Sequence, residues 1–193
     1  MPHSAQGSSP FDQSEGVEEI VELSPAEIAP LILSYDCNRL VLTGGEPLLQ
    51  QDELVKLTRL LPEIAFIEVE TNGTKLPSDD FLAIPTQFNV SPKLSNSGID
   101  EKLRLNFKAL GLFASLEKAF FKFVVCNQSD LDEIKTLHSK LNLSPDRIHL
   151  MPEGRDAQTL QHRSLWLADI CRDQGYHFSP RLHVLLWGNE RAK

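Results

Sequence analysis

The amino-acid sequence predicts an α/β fold built on a parallel sheet, and three observations carry that expectation. Short apolar runs of strand length recur along the chain, segments of helical periodicity separate them, and Gly-, Pro- or Ser-containing turns punctuate the boundaries. A doubly wound sheet and a partial barrel both satisfy this alternation. The 193 residues suit one domain, large enough to bury a core without disulfide staples. No linker divides the chain and no internal repeat is evident.

Residues 1–16 (MPHSAQGSSPFDQSEG) are rich in Ser, Gly and Pro and lack hydrophobic periodicity. They read as a flexible N-terminal arm, leaving 17–193 as the folded domain. Ser24-Pro25-Ala26-Glu27 has the form of a capping box with proline at the first helical position. It opens a short helix through Ile28, Leu31 and Ile32 that Pro30 is expected to bend or shorten. Arg39 to Thr43 is an apolar run ended by Gly44-Gly45, the pattern of a buried strand entering a loop. From Gln51 to Leu61, the residues Leu54, Leu57, Leu60 and Leu61 share one helical face. Strands are expected at Ala65 to Glu70 and Thr86 to Val90, and a helix from Ile99 to Leu110. Phe120 to Cys126 reads as a strand, followed by a helix that Ser129 can cap. Arg147 to Met151 predicts a strand, Leu160 to Gln174 a helix, and Leu182 to Trp187 a last strand.

The charge balance narrows the partners. With 19 Lys+Arg against 27 Asp+Glu, the formal net charge is −8 and the sequence pI about 5.2, which argues against a nonspecific grip on nucleic acid or anionic membranes. No apolar run approaches the roughly 20 residues of a bilayer-spanning helix, and the N-terminal stretch lacks the basic and apolar regions of a secretory signal. A cytoplasmic location is the expectation. The three cysteines, Cys37, Cys126 and Cys171, are too far apart in sequence for a disulfide framework or a metal knuckle, and they read as small buried hydrophobes.

In parallel α/β folds ligands bind beyond the carboxyl ends of the strands. Four such ends here carry Gly, Pro and hydrogen-bonding side chains: Thr43-Gly44-Gly45-Glu46-Pro47, Glu70-Thr71-Asn72-Gly73-Thr74, Ser91-Pro92-Lys93 and Met151-Pro152-Glu153-Gly154. Together they suit a mouth lined for a polar ligand. Each also has a purely structural reading. Gly44-Gly45 can simply turn the chain, but two glycines also let the backbone approach a ligand while Glu46 offers a carboxylate to an ammonium group. Asn72-Gly73 is a common hairpin signal. Lys93 in isolation reads as a solvated lysine. Of Glu68 and Glu70, one is expected to face the mouth or the sheet interior and to need a partner. The Phe120-Phe121-Lys122-Phe123 run reads as core strand, and the scattered histidines form no helical metal pair. A G-x-S-x-G elbow, a Walker loop and a G-x-G-x-x-G fingerprint are absent from the sequence.

The ordered set of TGGEP, ETNGT and SPK resembles the radical S-adenosylmethionine enzymes, and more narrowly the 7-carboxy-7-deazaguanine synthase family. Phe121-Lys122-Phe123-Val124, Met151 to Gly154 and Pro180 to Asn189 extend the resemblance from about residue 17 to the C-terminus. It implies a partial parallel (β/α) barrel. It also implies that Gly44, Gly45 and Glu46 hold the aminopropyl-carboxyl part of S-adenosylmethionine and that Thr43 faces the substrate. Glu70, Ser91, Pro92 and Lys93 would lie along the cofactor's ribose and neighbouring groups, and Met151, Pro152, Glu153 and Gly154 would flank its adenine. The implied chemistry is a 5′-deoxyadenosyl radical abstracting hydrogen from 6-carboxy-5,6,7,8-tetrahydropterin. A magnesium-assisted ring contraction then releases ammonia on the way to queuosine and other 7-deazapurines. A flavodoxin-type reductant, a small-molecule pterin partner and a homodimer come with the same resemblance.

One feature of that family is missing from these residues. Its 4Fe-4S cluster is held by three thiolates spaced C-x3-C-x2-C after the first strand, and the three cysteines here do not have that spacing. Gln13-Ser14-Glu15-Gly16 weakly resembles a substrate-binding Q-G-E-G segment, but Glu15 to Glu19 reads better as chain lying after a lost cluster loop. The expectation is a barrel lacking its first strand, its cluster loop and the magnesium-binding threonine that directly follows the cysteines, and so a chain inactive by itself. The competing expectation is a non-redox S-adenosylmethionine-binding module or assembly partner.

Overall fold

The computed structural model describes residues 21–188. The arm at 1–16, its boundary with the domain and the Gln13–Gly16 segment lie outside them. Six strands, β1 (Arg39–Leu42), β2 (Phe66–Thr71), β3 (Gln87–Val90), β4 (Ala119–Val125), β5 (Ile148–Pro152) and β6 (His177–Phe178), form one all-parallel sheet in sequential order. Each neighbouring pair is joined by a crossover through helix, as parallel pairing demands. The crossovers carry α2 (Gln51–Arg59), α3 (Asp79–Leu82), α4 (Glu101–Arg104), α5 (Phe107–Ser115), α6 (Asp130–Leu141) and α7 (Ala157–Gln174). Before β1 lies α1 (Pro25–Leu33), and after β6 lies α8 (Leu182–Trp187).

Alternation along the strands sorts two unlike faces. Val69, Phe88, Val90, Phe121, Phe123, Val125, Ile148 and Leu150 are fully buried against the helices, and with Phe81, Phe113, Ile134 and Leu167 they make the main core. Phe88 meets Phe113 edge-on at 5.2 Å. Each such ring contributes about 2–3 kcal/mol of apolar burial. The opposite face is half-buried and polar, carrying Glu68, Glu70, Gln87, Asn89, Lys122 and His149. A doubly wound sheet would cover both faces with helices and read as apolar on both; a polar inner face with sequential strand order is the partial-barrel solution.

Several expectations are corrected. The 99–110 segment is two helices, because Asn106 caps a new one: its Oδ1 accepts from the N–H of Lys108 (3.1 Å) and Ala109 (3.2 Å), and its Nδ2 donates to the Thr74 carbonyl. Leu182–Trp187 is helix α8, not a strand. The place beside β5 is taken by His177–Phe178, and periodicity alone does not separate a short apolar strand from a helical turn. Ser129 holds the N-cap position of α6, but its side chain caps no helical N–H and donates instead to Asn127 Oδ1; the Asp130 carboxylate, at the first helical position, accepts from the N–H of Cys126 (2.7 Å) and Asn127 (3.1 Å) and ties the helix start to the end of β4. Asn72-Gly73 is not a hairpin, since β2 and β3 are parallel. The capping box of α1 forms, with the Glu27 carboxylate accepting from both the N–H and the hydroxyl of Ser24, and the helix continues three residues past Pro30.

Candidate functional site

The carboxyl ends of adjacent strands are stitched into one rim. Glu46, at the end of the loop after β1, places Oε1 2.7 Å from the Thr71 hydroxyl and Oε2 2.8 Å from the N–H of Asn72 at the end of β2. Its Oε1 also caps the one-turn helix at Pro47–Gln50, accepting from the N–H of Leu48. Thr71 in turn accepts from the N–H of Gly73, and Asn72 Oδ1 accepts from the N–H and hydroxyl of Thr74. Ser91 continues the rim, its N–H donating to the Thr71 carbonyl at 2.7 Å and its hydroxyl to the Lys122 carbonyl at 2.9 Å. Glu153 closes it, its N–H donating to the Val125 carbonyl.

Within this rim the expected residues divide by what surrounds them. Thr43, Gly44 and Gly45 are exposed, and a Cβ built on either glycine meets nothing within 4 Å. Gly44 also has φ of +143°, open to glycine and strained for other residues. The loop therefore presents bare backbone to whatever enters the mouth. Gly154 is a glycine for a different reason: a Cβ there would sit 2.9 Å from Leu160 Cδ2. Its carbonyl accepts from Arg181, and Glu153 pairs with Arg163 through both its carbonyl and its carboxylate. Pro92 is buried, Met151 half-buried and Pro152 buried, while Lys93 is exposed. The Lys93 carbonyl accepts from Arg104, a buried guanidinium paired with Glu133 at 2.5 Å, so the loop after β3 is clamped to α6.

Glu68 and Glu70 both lie on the inner face, which corrects the expectation that only one would. Strand period puts residues two apart on the same side. Each has its partner: Asn89 donates to Glu68, and Lys122 Nζ donates to Glu70 Oε1 at 2.8 Å. Lys122 is a residue that the reading of the β4 segment as core missed. The available signal was alternation, since a lysine inside Phe-Phe-Lys-Phe-Val-Val marks the polar side of a strand whose other side is Phe121, Phe123 and Val125. His149 and His177 were missed as site residues for the same reason. Their rings stack at 4.7 Å, with Phe120 edge-on to His149 at 5.7 Å. His149 Nε2 is buried without a hydrogen-bond partner. Burial pushes the imidazole pKa down, and neighbouring His177 and Lys122 add to that, so the ring stays neutral at pH 7.

The cysteines do not converge. Cys37 precedes β1 at the amino end of the sheet, Cys126 follows β4 at the carboxyl end, and Cys171 is buried in α7 with its thiol pushed up to about 11 by burial. Cys126 is also held above the ordinary thiol range, by burial first and then by Asp130 and Glu153. Among the described residues, no group of three or more His, Cys, Asp or Glu is placed to hold a metal ion. These thiols do not fit a three-cysteine iron–sulfur site, which needs accessible thiolates from one locus. Among the described residues no helix is long and apolar enough to cross a membrane.

No family model matches the chain. Curated relatives do. A 7-carboxy-7-deazaguanine synthase of Pyrobaculum aerophilum is 35% identical over 181 residues, covering 92% of this chain and 75% of the relative. The proteins of the same name from Halobacterium salinarum and Rhodopirellula baltica are 33% and 27% identical, covering 86% and 92% of this chain and 72% and 71% of theirs. Among solved structures, Streptococcus suis SuiB bound to S-adenosylmethionine superposes with a TM-score of 0.59 at 14% identity over 86% of this chain. A second SuiB crystal structure gives 0.58, also at 14% identity, over 82% of this chain. The chain spans less than half of either SuiB chain, 45% and 43% respectively, and the likeness is one of fold.

Proposed function

The chain belongs to the 7-carboxy-7-deazaguanine synthase family, and from that membership we propose that its rim is the S-adenosylmethionine-binding part of such an enzyme. The reaction would be conversion of 6-carboxy-5,6,7,8-tetrahydropterin to 7-carboxy-7-deazaguanine with release of ammonia. The observation that carries this reading is the Gly44-Gly45 backbone, exposed and free of any neighbour that would explain two glycines by packing. A backbone without side chains can approach a ligand closely and offer its N–H and C=O groups to the ligand's amino and carboxylate groups. Glu46 suits an ammonium beside that loop. A carboxylate has about four acceptor positions, and Leu48, Thr71 and Asn72 occupy three, two on Oε1 and one on Oε2. The remaining lone pair belongs to a carboxylate already oriented by the fold, so a bound cation would meet it without side-chain reorganisation.

Further round the rim, Glu70 and Ser91 offer acceptors at the position expected for a ribose. Met151, with Pro152 to Gly154 behind it, offers an apolar ledge for an adenine. S-adenosylmethionine, when bound, would supply the radical precursor. The residues of this chain bind it, orient its amino acid end and fix the strand ends around it. No step is assigned to an iron–sulfur cluster or to magnesium, because among the described residues no donor set fits either.

Calorimetric titration with S-adenosylmethionine tests the reading. The chain is expected to bind, and Gly45→Val, whose side chain enters open space and leaves the protein core untouched, is expected to remove binding without lowering the melting temperature. No binding by the parent chain, or equal binding by the variant, would overturn the assignment.

A further inference from the structure

The rim residues account for recognition at the strand ends, but they leave a charged group below them unused. Lys122 projects from the middle of β4 onto the inner face, in register with His149 on β5. Its side chain is 24% exposed, and Glu70, 37% exposed, accepts its one described hydrogen bond. An ammonium has three donors. The other lysines of the described residues are elsewhere. Lys118, at the amino end of β4, is spent on the carbonyls of Leu82 and Pro85, and the rest are exposed. The half-buried or buried arginines are also engaged. Arg104 binds the Lys93 carbonyl and Glu133, Arg147 binds carbonyls of Phe113, Ala114 and Ala119, and Arg163 and Arg181 bind the 153–154 loop.

A lysine held in a half-buried strand interior is costly to place there, and one ion pair does not require it: an apolar residue at position 122 would match Phe120 and Val124 on the same face. From this geometry we infer that Lys122 is the cation that receives the carboxylate of a small-molecule ligand entering the inner face, with Glu70 its resting counter-ion. The inference rests on the function proposed above, which holds the carboxylate of S-adenosylmethionine at the Gly44-Gly45 loop and leaves that of the 6-carboxypterin substrate to be received on this face. His149, uncharged, does not compete for the anion, and its stacking on His177 forms a flat wall beside it.

The test is calorimetry on the parent chain, Lys122→Met, Lys122→Gln and Lys122→Arg. The probes are S-adenosylmethionine alone and, with S-adenosylmethionine present at saturation, pterin-6-carboxylate and unsubstituted pterin. Loss of a charge-assisted hydrogen bond is expected to weaken the relevant ligand about 10- to 100-fold in Lys122→Met and Lys122→Gln, with Lys122→Arg within a few-fold of the parent. The glutamine variant retains an N–H donor for Glu70 and guards against misfolding of the methionine variant. If pterin-6-carboxylate weakens while pterin and S-adenosylmethionine do not, the substrate's carboxylate is the ligand. That outcome supports the inference, and weakening of S-adenosylmethionine with pterin-6-carboxylate unchanged overturns it. A parent chain that binds S-adenosylmethionine with Lys122→Gln unchanged toward both carboxylates overturns it and leaves the proposed function standing. A parent chain that binds no S-adenosylmethionine overturns both.

Discussion

The carboxylate of Glu46 reaches from the loop after β1 to the hydroxyl of Thr71 at the end of β2, 2.7 Å away, and takes the neighbouring Asn72 N–H on its other oxygen. A residue expected to serve a ligand is thus also the tie between two strand ends, and ligand binding and local stability are joined in one side chain.

Glu46→Ala leaves the hydroxyl of Thr71, a buried residue, and the Asn72 N–H without their acceptor. The expected cost is about 2–3 kcal/mol, read as a lower urea midpoint at unchanged slope. Glu46→Gln, which keeps one acceptor oxygen, is expected to fall between the two. A stability equal to the parent for the alanine variant would show that the tie carries no weight.

Gly73 and Gly98 share a left-handed backbone, φ +75° and +72°, but differ in surroundings. At Gly98 a Cβ meets nothing, so Gly98→Ala is expected to cost only the backbone preference, about 1–2 kcal/mol. At Gly73 the new Cβ would lie 2.6 Å from Leu110 Cδ2 and 2.9 Å from Val90 Cγ1, both buried, adding about 1–3 kcal/mol of overpacking. Denaturation of the two variants side by side separates the terms; equal losses would refute the packing argument.

His149 makes stability depend on pH. Its folded-state pKa lies below the ordinary 6.5, so below that value the unfolded chain binds the proton first and stability falls as pH drops, until the folded pKa is passed. His149→Phe removes this dependence. The difference in unfolding free energy between variant and parent is therefore expected to shift in favour of the variant between about pH 7 and pH 5, and to be flat above pH 7.5. A constant difference across that range would contradict the assignment.

The arrangement of cysteines sets an expectation for redox chemistry. With Cys37 and Cys126 at opposite ends of the sheet and Cys171 buried, these 193 residues, treated anaerobically with iron and sulfide, are expected to form no stoichiometric cluster and to yield no 5′-deoxyadenosine from S-adenosylmethionine. Iron and product analysis checks both. Turnover quantities of 5′-deoxyadenosine would overturn the expectation.

Much of the architecture was legible from one dimension. Strand alternation in Phe66–Thr71 and Ala119–Val125, the capping box at Ser24 and the glycine-rich strand ends are local patterns, and local patterns are what backbone sterics and burial impose directly. The family resemblance rested on the same strand ends. Expectations failed where a competing partner lay far away in sequence. Asn106 breaks the 99–110 helix in concert with Thr74, and the residues that pair with β5 are His177–Phe178, while Leu182–Trp187 is helical. By itself, then, the sequence determined an α/β parallel architecture and which loops carry the polar groups. Only the tertiary structure decided that Glu46 is tied to Thr71 and that Lys122 faces Glu70 across β3. Those contacts join residues 25 and 52 positions apart, and the partner of a side chain at such a distance is set by strand order and register, which no local pattern encodes.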